Sequence, residues 1–131
     1  MAGFSDYLED KVLDHVFGGS AYTAPATLYV GLYTAAPSDS GGGTEVSGGS
    51  YARKSMPAMT VSGTSPTEAT NGAAVEFITA TGSWGTVTHV GVFDASSSGN
   101  LLAWAALTAS KTVSSGDVFR FDAGDLDITL A

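Results

Sequence analysis

The chain has 131 residues, no cysteine, and 13 acidic against 5 basic side chains, for a net charge of −8. The acid excess repels phosphate backbones and argues against nucleic acid as a partner. The missing thiols exclude disulfides and thiolate metal sites, and no stretch approaches the roughly 18 apolar residues of a membrane span.

From the N-terminus, residues 3–17 read as a helix. Phe4, Leu8, Val12 and Val16 recur every fourth position, and Leu13 and Phe17 widen the stripe. Ser5 suits the N-cap, and Asp6 and Glu9 complement the positive helix end. Gly18-Gly19 supplies the stop. The acids at 6, 9 and 10 are the wrong charge for a secretory n-region, so a cytoplasmic site of synthesis is expected.

After Pro25 the period changes to two. Thr27 to Thr34 reads as a strand with both faces apolar or aromatic. Residues 35–50, with Gly41-Gly42-Gly43 and Gly48-Gly49, read as a long loop. Tyr51 to Met59 reads as a strand that Pro57 confines to an edge or cuts short. Val61 to Asn71 reads as turn, and Ala74 to Thr79 as a short strand. In Thr86 to Asp94, Val90 and Val92 are expected on one face, and Val87, His89 and Phe93 on the other. The 96–100 turn and the strand from Leu101 to Leu107 make this the best hairpin. Strands at Val118 to Phe121 and Leu126 to Leu130 complete the chain. The expected fold is mainly β: one antiparallel β-sandwich or jelly-roll-like domain over residues 1–131, with one N-terminal α-helix.

Catalytic patterns are missing. No G-x-S-x-G elbow or S-x-x-K pair occurs, and a serine triad would need His15 or His89. His89 suits a hydrogen-bonded structural role. Gly41-Gly42-Gly43 lacks the Lys-Ser/Thr ending of a P-loop. Asp122, Asp125 and Asp127, with Asp117 upstream, are the weak candidates for calcium, though turns and a solvated strand explain them more simply. Trp84, Trp104, Tyr29, Tyr33 and Phe93 could line a carbohydrate groove, but core packing is their default, with Trp84 expected to be the most exposed. Paired carboxylates for sugar hydrolysis would have to come from Glu45, Glu68 and Glu76. A non-enzymatic protein without cofactor is expected.

The run from Thr44 to Arg53, T-E-V-S-G-G-S-Y-A-R, resembles a segment of a family of small phage virion proteins commonly labelled tail fibre proteins. The resemblance continues through Tyr7–Phe17, Leu28–Asp39, Ser83–Asp94 and Leu107–Asp117. It implies a structural virion component, made in the host cytoplasm, whose partners are capsid or tail proteins. A capsid decoration or cement protein on the outer surface is the first reading, and a tail fibre, baseplate or collar component the alternative. A homo-oligomer is expected, with a trimer favoured. The candidate docking surface is Phe4, Leu8, Val12 and Val16 on the helix, with Thr44, Glu45, Val46, Tyr51 and Arg53 in and after the long loop.

Overall fold

The computed structural model describes residues 3–130. The fold is mainly antiparallel β, sandwich-like and not closed, with one N-terminal helix. Its strands are β1 (Gly3–Phe4), β2 (Leu28–Ala35), β3 (Thr44–Glu45), β4 (Lys54–Met56), β5 (Thr60–Ser62), β6 (Thr67–Thr70), β7 (Val75–Glu76), β8 (Gly85–Phe93), β9 (Leu101–Val113), β10 (Arg120–Phe121) and β11 (Asp127–Leu130). The main sheet runs β1-β9-β8-β2-β3, with β4 also on β2; β7 pairs β10, and β6 lies between β5 and β11.

Alternation along β2 and β8 builds the core. Val30 lies beside Val92, which in turn lies beside Ala103, and Leu32 lies beside Val90, which in turn lies beside Ala105. Those side chains pack with Val75, Phe77, Phe119, Phe121 and Leu126 from the smaller sheets. On the opposite face Gly31 sits beside Gly91, flanked by the Tyr33/His89 and Tyr29/Phe93 pairs. A Cβ on Gly91 would meet Leu101 at 2.9 Å and Tyr33 at 3.0 Å, so bare backbone here lets the aromatic rings lie flat.

Four expectations are corrected. The helix does not begin at Gly3, because Gly3 and Phe4 pair with Trp104 and Ala103. Helix α1 spans Asp6–Leu13 and continues as one π-helical turn, Asp14–Gly18. Ser5 is the N-cap, accepting from Leu8 N–H while its hydroxyl donates to Leu101 O, and Gly19 ends the element at φ +79°. Second, residues 35–50 are not all loop, since Thr44–Glu45 pairs with β2. Third, the segment from Val61 to Asn71 contains most of the β5–β6 hairpin, whose Thr, Ser and Glu residues carry no apolar alternation. Fourth, Val87 is buried with Val90 and Val92. The β8–β9 ladder slips between Val87 and His89, and the bulge reverses the strand's facing. Strand β4 ends immediately before Pro57 at the sheet edge, as that proline requires.

Asn71, fully buried, locks the last turn: its amide donates to Ala73 O and Asp122 O, and its Oδ1 accepts from Leu126 N–H. Trp84 is buried, not exposed, because its indole N–H donates to Gly49 O at 2.9 Å. His89 bonds Thr88 Oγ1 at 2.8 Å beside the Trp104 ring.

Candidate functional site

The run from Thr44 to Arg53 closes the free edge of β2. Strand β4 pairs with Leu28–Val30 and β3 with Tyr33 and Ala35, which leaves Leu32 between them. Val46 N–H donates to Leu32 O at 2.9 Å, and Leu32 N–H donates to the Tyr51 hydroxyl at 2.9 Å. That hydroxyl donates in turn to Glu45 Oε2 at 2.7 Å. Arg53 forks onto both Glu45 oxygens at 2.9 Å, the strongest geometry for this pair. Its remaining amino group reaches Ala95 O and Ser98 O, tying in the β8–β9 turn. The guanidinium lies 3.5 Å over the Phe93 ring, and the Arg53 side chain is 8% exposed. Gly31 makes room beneath, since a Cβ there would stand 2.8 Å from Glu45 Oε2.

This arrangement is a clasp within the chain. Of the five docking candidates in this run, Val46 is in the core, and Glu45, Tyr51 and Arg53 are spent on internal bonds; only Thr44 is exposed. Both charges in the run, Glu45 and Arg53, have their partners inside the chain. Burial, then the bond to Glu45, pushes the Tyr51 phenol well above its ordinary value of 10.0. Because the folded-state value is raised, this stabilisation is intact below pH 10 and is lost as pH rises further. The wild-type chain should therefore lose stability steeply above about pH 10, and Tyr51→Phe should flatten that limb in denaturant melts at graded pH. An unchanged alkaline limb would show that Tyr51 does not carry it.

The helix behaves differently. Phe4, Leu8 and Val12 are half-buried, whereas Leu13, Val16 and Phe17 are 59%, 60% and 82% exposed. The stripe overhangs the sheet at its C-terminal end, where the π-helical turn carries Val16 and Phe17 beyond it. Leu13 and Phe17 were readable as stripe residues, but their position at the overhang was not.

The acidic residues near the C-terminus serve turns. Asp117 accepts from Ser114 N–H, Asp125 from Asp122 N–H, and Asp122 from Arg120. Among the described residues no three metal-ligating side chains gather at one point. Glu45 is engaged by Arg53 and Glu76 by Arg120, while Glu68 lies on β6.

A family model described as Podophage GP4 fiber I protein gp80 matches residues 3–129. The chain belongs to this phage fibre family. No curated protein is similar enough to stand as a relative. As a fibre-family protein the chain is a virion component synthesised in the host cytoplasm, and no described helix is long and apolar enough to cross a membrane. The match favours the fibre alternative over capsid decoration, for which nothing direct speaks. Within the fibre family's frame, the clasp maintains the fold, and the helix end gathers three of the exposed large apolar side chains, the others being Val61, Ile78, Val118 and Leu130.

Proposed function

We propose that the chain is a non-enzymatic fibre subunit of the virion, held by the apolar end of its N-terminal helix against a second copy. The observation that carries this reading is the exposure of Leu13, Val16 and Phe17 on one overhang in a member of a phage fibre family. A trimer is the favoured assembly, because closed symmetry repeats one modest apolar contact and adds the gains.

Val16→Asp combined with Phe17→Ser tests the surface. Both sites are exposed, so the isolated variant should stay within roughly 0.5 kcal/mol of wild-type stability. In native mass spectrometry it should be monomeric where wild type is trimeric. A variant that still assembles would remove the helix end from the interface. Location is tested by immunogold microscopy of intact phage with antibody raised against the chain. Label on a fibre supports the proposal, and label spread over the head would restore the decoration reading.

A further inference from the structure

The turn that Asn71 locks carries a chemical reactivity of its own. Asn71 is followed by Gly72, and the chain's one other side-chain amide, Asn100, is followed by Leu101. An asparagine side chain is open to attack by the backbone nitrogen of the next residue. That nitrogen bonds to Cγ, ammonia leaves, and a five-membered succinimide remains, which water opens to aspartate or isoaspartate. Glycine in the next position favours the closure, because no side chain crowds the nitrogen and the backbone turns freely. Leucine after Asn100 hinders it.

The fold holds Asn71 away from this reaction. The residue is 2% exposed, which keeps out the water that opens the ring. Its Nδ2 donates to Ala73 O at 3.0 Å and to Asp122 O at 2.9 Å, and its Oδ1 accepts from Leu126 N–H at 2.9 Å. Ring closure has to turn the carboxamide out of all three bonds. The departing nitrogen also needs a proton, and the two carbonyls around it have none to give. The main chain is held as well, since Asn71 N–H donates to Leu126 O and Asn71 O accepts from Gly124 N–H.

The products do not fit the same place. Aspartate sets carboxylate oxygens against the Ala73 and Asp122 carbonyls where two donors stood, and it buries a charge. Isoaspartate lengthens the main chain by one carbon between the bonds to Leu126 and Gly124. We propose that Asn71-Gly72 is a deamidation site that the native fold keeps shut, so that a subunit left unfolded is marked covalently and loses this turn for good. The inference does not depend on how the subunit is held in the virion.

The wild-type chain is kept at neutral pH and one temperature, in buffer and in concentrated urea, and conversion at each asparagine is followed by intact mass and peptide mapping. In urea Asn71 should convert well before Asn100. In buffer it should convert at least about a hundred-fold more slowly than in urea, since only the opened fraction reacts. Gly72→Ala should slow the reaction in urea several-fold, a measurement that does not require the variant to fold. Asn71→Asp, the product itself, should melt roughly 5–10 °C below wild type at neutral pH or fail to fold. The proposal is overturned if Asn71 converts as fast in buffer as in urea, if Gly72→Ala leaves the urea rate unchanged, or if Asn71→Asp melts with wild type.

Discussion

Gly49→Val should lower the melting temperature by on the order of 10 °C, through a stability loss of about 3 kcal/mol or more. Two effects add. Gly49 has φ +56°, a conformation that costs an L-residue about 1–2 kcal/mol and a β-branched one more. Its Cβ would also stand 2.7 Å from Gly82 O and 2.9 Å from the Trp84 ring, with backbone on one side and a buried indole on the other. Neither can retreat, because Gly49 O already holds the Trp84 indole N–H and Thr81 N–H. Gly48→Val is the control. Its φ is +78°, but nothing lies within 4 Å of the added Cβ, so only the backbone strain remains. Calorimetry of the two variants side by side separates the terms. Equal melting temperatures would mean that the Gly49–Trp84 contact contributes nothing.

Arg53→Met should cost about 2–4 kcal/mol, somewhat below the loss for a fully buried ion pair, because the Glu45 side chain is 25% exposed and water can reach it. Glu45 would keep its bond from Tyr51 but lose its counter-charge, and the Ala95 and Ser98 carbonyls would lose their donor. Arg53→Lys should recover only part of the loss, since an ammonium keeps the charge but not the planar fork. Combining Arg53→Met with Glu45→Gln should be less damaging than Arg53→Met alone, because no uncompensated carboxylate then remains. Urea midpoints of the four proteins decide the matter. A double variant weaker than the single would show that the hydrogen bonds, not the buried charge, dominate.

These two sites also mark how far the chain could be read in advance. Strands β2 and β8 were legible because Val30, Leu32, Val90 and Val92 alternate against a buried face, and burial enforces a period of two. Ser5 and Gly19 were legible as helix boundaries because capping is local chemistry. The hairpin of β5 and β6 was not, since its polar strands bury little and are held by backbone pairing alone. The run from Thr44 to Arg53 is visible as a motif, but its internal pairing is not. Glu45 and Arg53 are eight residues apart in sequence, and nothing local says that a carboxylate and a guanidinium there face each other over Phe93.

What the sequence determined by itself is therefore what short-range physics controls: a mainly antiparallel β chain, one capped N-terminal helix, glycine-rich turns, and the fibre-family landmarks along its length. The tertiary structure decided which polar residues turn inward, where the β8–β9 bulge sends Val87, and which part of the apolar helix stripe stays uncovered. Those outcomes depend on contacts between residues tens of positions apart, and the free energy that selects them belongs to the packed chain, not to any segment of it.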